Sequence, residues 1–214
     1  MPSENKKLLT LLACLILAET LLAISTQWQG VDDFDHVILA SIASHQSVGV
    51  ARVWSLVTDL GNTIVIFPLA IAALITLYRR AEKVLALRVT ATMAIAIVLE
   101  NGLKFMVHRA RPIETYAGTM PASFSFPSGH TLFATAFYFG TALAIGAVLS
   151  ENQRRLWLAV AIALTTAIGL SRMGLLVHYP TDVAGGVIAG LIAITLGKLA
   201  ANILARHDEG QDRA

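Results

Sequence analysis

Residues 131–150, TLFATAFYFGTALAIGAVLS, contain no Asp, Glu, Lys or Arg. A helix that crosses the hydrocarbon core of a bilayer needs about 20 mostly apolar residues, and this stretch has that length. The rest of the chain has the same character, since 56% of its 214 residues are hydrophobic and 14% are charged, against roughly 25% charged in an ordinary soluble domain. This composition excludes a disordered chain, a nucleic-acid-binding arm and a secreted disulfide scaffold. It predicts an all-α, polytopic membrane protein.

Further apolar stretches of membrane-spanning length lie on either side of this segment. They are residues 8–26, 54–78, 85–106, 156–176 and 183–204. Together with 131–150 they predict six transmembrane helices in one bundle. A single domain over residues 1–214 is expected, because no internal repeat or low-complexity linker divides the chain. The first stretch could instead be a signal peptide, since Lys6 and Lys7 precede it, but Glu19 interrupts its apolar run.

The distribution of Lys and Arg between the loops orients the predicted bundle. Cytoplasmic loops carry the excess of these cations, and a cytoplasmic N-terminus places most of them on that side. They are Lys6, Lys7, Arg79, Arg80, Lys83, Arg88, Arg154, Arg155, Arg206 and Arg213. Both termini, with a polar tail at residues 205–214, are then cytoplasmic, and the longer loops 27–53 and 107–127 lie outside. The first of these contains Asp35 and His36 and is expected to be a solvated loop.

Three polar segments lie at the predicted outer ends of the spans. They read Lys104-x6-Arg111-Pro112, then Pro127-Ser128-Gly129-His130, then Ser171-Arg172-x5-His178-x3-Asp182. Ionisable residues are costly in a membrane and indicate a functional site. Each segment alone has an ordinary explanation, such as a snorkelling end charge or a turn into a helix. All three in this order, on one side of the bilayer, are hard to obtain by chance.

The three segments resemble the signature of the type-2 phosphatidic acid phosphatase superfamily. That superfamily includes integral-membrane lipid phosphatases, soluble acid phosphatases and vanadium haloperoxidases. Every signature position is occupied, and the motif region spans residues 104–182. The resemblance implies a membrane lipid phosphatase without a cofactor, whose partners are a lipid phosphate and the bilayer rather than nucleic acid. No cluster of Asp, Glu and His in the sequence resembles a metal cage, so we also predict that the enzyme is metal-independent.

The cations of the first and third segments suit a multiply charged anion. Lys104 and Arg111 are two helical turns apart and would share a face if the helix continued that far. Arg172 adds a planar guanidinium whose donors match phosphate oxygens. Glu100 lies four residues before Lys104, so an ion pair between the two is expected. The sequence therefore predicts that Lys104, Arg111 and Arg172 bind phosphate.

The second segment predicts an anion site at the start of a helix. Pro127 is favoured at such a start, and the free N–H groups of a first turn attract anions. Ser128 can donate its hydroxyl, and Gly129 lets a phosphate approach the backbone closely. His130 is then placed to give or take a proton.

The third segment predicts a nucleophile. Asp182 lies four residues after His178 and can hold one imidazole nitrogen as N–H, which leaves the other free to attack. The alternative interpretation is that Asp182 only caps a helix that begins at Pro180. The mechanism implied by the resemblance makes His178 the nucleophile, oriented by Asp182. His130 then protonates the leaving oxygen, and a phosphohistidine forms.

The position of the site indicates the kind of substrate. A site level with lipid headgroups would admit a lipid phosphate or diphosphate sideways between helices. In bacterial members of the family the substrates are undecaprenyl diphosphate, phosphatidylglycerophosphate, phosphatidate and lipid A phosphates, and the sequence does not choose among them. Short loops and small size indicate a bacterial inner membrane. A phosphotransferase that uses a lipid acceptor, and a non-enzymatic carrier of anionic lipid, are the alternatives.

Overall fold

The computed structural model describes residues 3–112 and 122–211. Its helices are α1 (Ser3–Ser25), α2 (Gln29–Ser44), α3 (Val48–Asp59), α4 (Thr63–Arg79), α5 (Lys83–Val107), α6 (Gly129–Ala134), α7 (Gly140–Ile145), α8 (Glu151–Gly174) and α9 (Pro180–Gln211), with a π-helical segment, Thr135–Phe139, between α6 and α7. Within the described ranges no residue lies in a β-strand. The all-α prediction is confirmed.

Five helical segments of the described chain are long and apolar enough to cross a membrane. They are Glu4–Ser25, Val48–Arg79, Lys83–Val107, Glu151–Gly174 and Pro180–Ala205. Large apolar side chains on these helices face outward, and Leu17, Ile71, Val98 and Leu156 are each more than half exposed. A surface of this kind is stable in lipid rather than in water. The chain is an integral membrane protein.

The helical run 129–145 differs from the predicted span at residues 131–150. It contains the π-helical segment and ends at Ile145, so it is shorter than the five candidates above. The structure therefore does not establish a sixth crossing. Gly146 follows α7 directly, and Ser150 already caps the next helix through a reciprocal pair of bonds with Gln153. The apolar residues between these two positions form a connection rather than a helix.

The outer loop expected at residues 27–53 is instead largely helical, so that prediction is wrong. It contains α2 and the first turns of α3. Asp35 and Leu39 lie one turn apart on α2 and are both buried, which gives this polar helix an inward face. The stretch 54–78 is likewise divided, because a turn at residues 60–62 separates α3 from α4 and Asn62 caps α4.

The core lies between α4, α5, α6 and α9. Ile66, Met93, Leu132 and Ala189, one from each of these helices, belong to one buried cluster. Helix α9 packs along α5 and also against α1 and α6. Small residues let it approach closely, since a Cβ on Gly186 would lie 2.7 Å from the carbonyl oxygen of Ser128. The central helix α9 thus holds the Pro-Ser-Gly-His turn in place.

Polar contacts near the C-terminal part of α9 tie it to the beginning of α1. Lys198 Nζ lies 2.8 Å from Glu4 Oε1, and Asn202 donates to Asn5 Oδ1 at 3.3 Å. The opposite end of α9 carries Asp182 in its first turn. The candidate site therefore lies at the end of the bundle away from the start of α1.

Candidate active site

His178 lies in the connection between α8 and α9 and is almost completely buried. Its Nδ1 lies 3.4 Å from Asp182 Oδ2, and its Nε2 lies 3.0 Å from Arg111 Nη1. Burial lowers the pKa of His178 to about 4, although the hydrogen bond with Asp182 raises it, so the imidazole is neutral near pH 7. A carboxylate beside Nδ1 favours the tautomer that keeps its proton there, which leaves the lone pair on Nε2.

Asp182 is fully buried and has partners on both oxygens. Its Oδ2 faces His178 and accepts hydrogen bonds from Ser125 Oγ at 2.5 Å and from Tyr179 N at 2.9 Å. Its Oδ1 accepts from Arg109 Nη1 at 2.9 Å. The bond from Tyr179 N satisfies a backbone donor at the start of α9. The geometry therefore contains both contacts considered from the sequence, the one with the imidazole and the cap.

Lys104 and Arg111 do not lie on one helix, contrary to the simplest extension of their spacing. Helix α5 ends at Val107, and His108 adopts a left-handed backbone conformation with φ 52°. The chain turns there, and Arg111 reaches the site from the following loop. It donates to the carbonyl oxygen of Val177 at 2.8 Å as well as contacting the imidazole.

Ser123 connects these two cations. Arg111 donates to its carbonyl oxygen at 2.8 Å and to its hydroxyl at 3.1 Å, and Lys104 Nζ reaches the same hydroxyl at 3.4 Å. Lys104 also pairs with Glu100 Oε1 at 2.5 Å, as its spacing suggests. The cations thus converge although they arrive from different segments.

Arg172 lies near the end of α8 and is buried. Its Nη1 donates to Thr58 Oγ1 on α3 at 2.8 Å. Its Nε has no hydrogen-bond partner among the described residues. This guanidinium therefore has donor capacity that the described protein groups do not use.

The Pro-Ser-Gly-His turn is bound to α9 through its backbone. Ser128 N donates to the carbonyl oxygen of Asp182 at 2.9 Å, and Ser128 Oγ accepts from Thr131 at 3.1 Å. Gly129 has a steric reason to be glycine, because a Cβ there would lie 2.8 Å from Glu100 Oε1. Helix α6 begins at Gly129, two residues after the predicted proline start.

His130 follows in the first turn of α6. It interacts electrostatically with Lys104, Arg111, Arg172 and His178, so residues of all three polar segments act on this imidazole. The turn between α3 and α4 packs against it, since a Cβ on Gly61 would lie 3.3 Å from His130 Cβ. The structure thus brings the predicted residues to one end of the bundle.

Two residues of the site, Asp35 and Arg109, are not among those selected from the sequence. Arg109 is buried and donates to Asp182 Oδ1 and, through Nη2 at 2.7 Å, to Asp35 Oδ2. Burial lowers the pKa of Arg109, but Asp182 and Asp35 outweigh it and raise the pKa above its ordinary value. Asp35 is 0% exposed, so its assignment to a solvated loop is wrong. The one-turn spacing of Asp35 and Leu39 was the available signal.

Groups of His, Cys, Asp or Glu that could hold a metal ion are absent from residues 3–112 and 122–211. What these residues offer to an anion is the set of cations around the imidazoles, namely Lys104, Arg111 and Arg172. Such an arrangement can stabilise the negative charge of a phosphoryl group while a neutral imidazole approaches the phosphorus.

Comparison with known proteins identifies the family. Residues 85–204 match the model of the PAP2 superfamily, a range that includes all three polar segments. Phosphatidylglycerophosphatase B of Bacillus subtilis is 30% identical over 83% of this chain and 88% of its own length. Decaprenylphosphoryl-5-phosphoribose phosphatase of Mycobacterium tuberculosis is 36% identical over 57% of this chain and 63% of its own length.

A solved structure shows the same architecture. The crystal structure of a transmembrane PAP2-type phosphatidylglycerolphosphate phosphatase from Bacillus subtilis matches with a TM-score of 0.81 and 25% identity, over 87% of this chain and 94% of that chain. The chain therefore belongs to the PAP2 superfamily, as the resemblance of the three segments predicted. It is an enzyme of the phosphatase class.

Proposed function

We propose that this protein hydrolyses phosphate esters or diphosphates of membrane lipids through a phosphohistidine on His178. The observation that carries the proposal is the buried imidazole held between Asp182 and Arg111. A neutral nitrogen with its lone pair beside a guanidinium is suited to attack a phosphorus atom whose oxygens that guanidinium binds. A structural histidine would not need two arginines, Arg111 and Arg172, acting on it.

In the first step the Nε2 lone pair of His178 forms a bond to phosphorus in line with the leaving oxygen. The P–O bond breaks, its electron pair stays on the leaving oxygen, and His130 supplies the proton. In the second step His130 takes a proton from water, and the water oxygen attacks phosphorus. The P–N bond then breaks, its electron pair returns to Nε2, and inorganic phosphate leaves. Asp182 stabilises the positive charge that the imidazole carries while it is phosphorylated.

The phosphate-binding groups we propose are Lys104, Arg111, Arg172 and the Ser128–Gly129 turn. Arg111 contacts Nε2 directly in this structure, so it must exchange that contact for a phosphate oxygen when substrate enters. Arg172 Nε is buried and has no hydrogen-bond partner among the described residues, so it is available to a phosphate oxygen. Three fixed cations can stabilise a phosphoryl-transfer transition state as metal ions do elsewhere. We therefore expect turnover to persist in EDTA and to be inhibited by vanadate.

An apolar groove beside the site supports a lipid substrate. It has a volume of about 360 Å³, runs between α6, α8 and α9, and is lined by Thr131, Thr135, Gly169, Leu170, Val183 and Val187 among others. Thr131 directly follows His130, so the groove begins next to the proposed acid. A hydrocarbon tail can lie there while its phosphate reaches the cations. A soluble phosphate ester would leave this groove empty.

The substrates for which the relatives are named indicate which lipids to test first. The Bacillus relative is named for phosphatidylglycerophosphate, and the mycobacterial relative for a polyprenyl-linked phosphate. Phosphatidylglycerophosphate, undecaprenyl diphosphate and phosphatidate are therefore the first panel for the purified protein in detergent, scored by released phosphate. An enzyme that prefers monophosphates and one that prefers diphosphates would rank these lipids differently by the rate of phosphate release.

The variant His178→Ala tests the chemistry. It should release no phosphate above background and form no acid-labile phosphoprotein, whereas the matched control His45→Ala, an exposed histidine at the end of α2, should behave as wild type. Retained turnover in His178→Ala at normal membrane insertion would contradict the proposal. His130→Ala should slow both steps.

The two alternative functions are separated by the same assay. A phosphotransferase would keep the phosphohistidine but release little phosphate unless a lipid acceptor is added. A carrier of anionic lipid would bind the panel lipids without breaking a P–O bond. Free phosphate from wild type without an added acceptor supports the hydrolase.

We further propose that the chain forms one domain with six crossings in a bacterial inner membrane, with both termini cytoplasmic and the site outside. The helical run 129–145 would supply the sixth crossing. Helix α9 continues to Gln211 and so includes most of the predicted tail at 205–214. With Cys14, the only cysteine, replaced by serine, a cysteine at Ala122 should react with an impermeant maleimide on intact spheroplasts. One at Ala147 should react only after lysis, and the reverse result would invert the topology.

A further inference from the structure

Three buried charged groups lie in a row behind His178. Asp35 Oδ2 accepts from Arg109 Nη2 at 2.7 Å, and Asp182 Oδ1 accepts from Arg109 Nη1 at 2.9 Å. Both carboxylates are 0% exposed and the guanidinium between them is 6% exposed. The Tyr179 ring lies against the guanidinium, 4.1 Å from its carbon to the ring centre. Asp35 belongs to α2, which carries none of the signature residues.

Thr181 strengthens the same row. Its backbone N donates to Asp35 Oδ1 at 3.2 Å, its hydroxyl donates to Asp35 Oδ2, and it accepts from Arg109 Nη1 at 2.6 Å. Asp35 therefore binds the first turn of α9 directly and also holds the arginine that binds the next residue, Asp182. Helix α2 is fixed to the segment that carries the proposed orienting carboxylate.

The two oxygens of Asp182 have separate partners. Oδ1 is occupied by Arg109, whereas Oδ2 faces the imidazole of His178 and accepts from Ser125 and Tyr179. Arg109 therefore fixes the rotation of the carboxylate that presents Oδ2 to His178. A side chain held this way loses little freedom when the imidazole becomes charged.

Asp35 also affects how much of the negative charge of Asp182 acts on His178. The charged groups that act on His178 include Asp182 from α9, Arg172 from α8 and Arg111 from the loop after α5, and Asp182 is the negative one of these three. Without Asp35, Arg109 would keep Asp182 and the half-exposed Asp32, whose Oδ1 lies 3.6 Å from Nη2, and would cancel more of the negative charge of Asp182. Because Asp35 shares the guanidinium, Asp182 keeps more of its field for a phosphorylated, positively charged imidazole.

We propose that Asp35 and Arg109 are positioning residues that orient Asp182 and preserve its charge for His178, so that α2 serves the reaction without touching the substrate. The inference rests on the proposed roles of His178 and Asp182. A purely structural role, in which the row only fastens α2 to α9, is the competing explanation.

The kinetic test uses Asp35→Asn, with Asp33→Asn as the matched control. Asp33 loses the same charge from the same helix but is exposed. Asp35→Asn should lower kcat about 10- to 100-fold, the range found where the partner behind a metal-bound side chain is removed, with KM within about threefold of wild type. Asp35→Glu should recover part of the loss, and Asp33→Asn should leave kcat unchanged. Equal kcat in Asp35→Asn and Asp33→Asn, per folded molecule, would overturn the proposal.

A double-variant cycle tests whether Asp35 acts through Arg109. Arg109→Gln and Asp35→Asn/Arg109→Gln should have similar kcat, because Asp35 has no arginine left to hold in either. Fully additive losses would show that Asp35 acts independently. If Asp35→Asn does not fold, Arg109→Lys provides the same test, since a lysine cannot bridge two carboxylates with a planar fork.

A readout that needs no turnover separates this proposal from the proposed function. Titration of [13C]histidine-labelled protein by NMR, with His178→Ala to assign the signal, should place the His178 midpoint higher in Arg109→Gln and lower in Asp35→Asn than in wild type. Shifts of the His178 midpoint in opposite directions in the two variants support the positioning role. If they are found and wild type hydrolyses no lipid phosphate, only the proposed function is removed. Unshifted midpoints with normal wild-type turnover would remove only the positioning role.

Discussion

Residues 104–182 and residues 29–62 build the same site in different ways. The first region carries the polar segments that identify the family. The second carries no signature, yet Asp35 holds Arg109, Thr58 holds Arg172 and Gly61 packs against His130. The reacting groups are recognisable by residue type and spacing, whereas their supports are single residues on the inward faces of α2 and α3 and in the turn after α3. We call residues 29–62 the N-terminal support.

Among variants that keep both histidines, the largest effect is expected inside the motif region, from Arg111→Ala. This change removes the donor beside His178 Nε2 and one of the three cations proposed to bind phosphate. Loss of one such donor typically lowers kcat by about 10²- to 10³-fold. The measurement is kcat for phosphate release, with Arg52→Ala, an exposed arginine of α3, as the control. A loss below tenfold would place Arg111 outside the transition-state contacts.

Gly61→Ala examines packing in the N-terminal support. The new Cβ would lie 2.5 Å from Ile168 Cγ2 and 3.3 Å from His130 Cβ, so neighbouring groups must move. Overpacking of this kind lowers the free energy of unfolding by about 1–3 kcal/mol. Thermal unfolding in detergent measures it. The control is Gly102→Ala, because a Cβ on Gly102 has open space around it. Equal stability of the two variants would show that the turn before α4 is not packed tightly against His130.

Thr58→Val tests whether the support acts on a motif cation. It removes the hydroxyl that accepts from Arg172 Nη1 at 2.8 Å and keeps the shape of the side chain. A hydrogen bond to a charged group contributes about 1.5 kcal/mol, so phosphate or vanadate should bind about tenfold more weakly. Thr76→Val, which loses only a bond within its own helix, should bind them normally. Unchanged binding in Thr58→Val would assign no such role to α3.

The smallest effect is expected for pH. Burial holds the pKa of His178 at about 4, and a nucleophilic imidazole is active when neutral, so activity is lost only as pH falls toward that value. After correction for ionisation of the substrate phosphate and of the proposed acid His130, kcat/KM should change less than about twofold between pH 7.5 and pH 5.5. A histidine with the ordinary pKa of about 6.5 would lose about tenfold at pH 5.5. A loss of that size would contradict a buried, neutral His178.

The sequence was sufficient to locate most membrane helices, because long apolar runs such as those in α5, α8 and α9 have few alternatives. It was insufficient at residues 29–44, where the charges of Asp32, Asp33 and Asp35 suggested a loop and hid a helix with a buried face. It also extended the helical run after His130 beyond Ile145, because hydropathy does not distinguish a helix from an apolar turn.

The residues of the candidate site divide in the same way. The histidines and cations of the motif region could be selected from residue type and order, and their catalytic roles stay predictions until tested. The spacing of Asp35 and Leu39 could have indicated that Asp35 is buried, but not its role, because its partner Arg109 is 74 positions away and nothing local indicates that pairing. Long-range ion pairs depend on how helices pack, which single-sequence reasoning does not supply.

The π-helical segment Thr135–Phe139 affects how the helix that begins beside His130 can evolve. One residue more or less in such a turn rotates everything beyond it by about 100° relative to what precedes it. Deleting one residue there would restore a regular helix and leave His130 in place. It would also turn Gly140 away from Ile194 and Thr92, against which it now packs. The π-helical segment therefore sets the orientation of Gly140 relative to His130, so the part of the helix that carries His130 and the part that packs against α5 and α9 are under separate constraints.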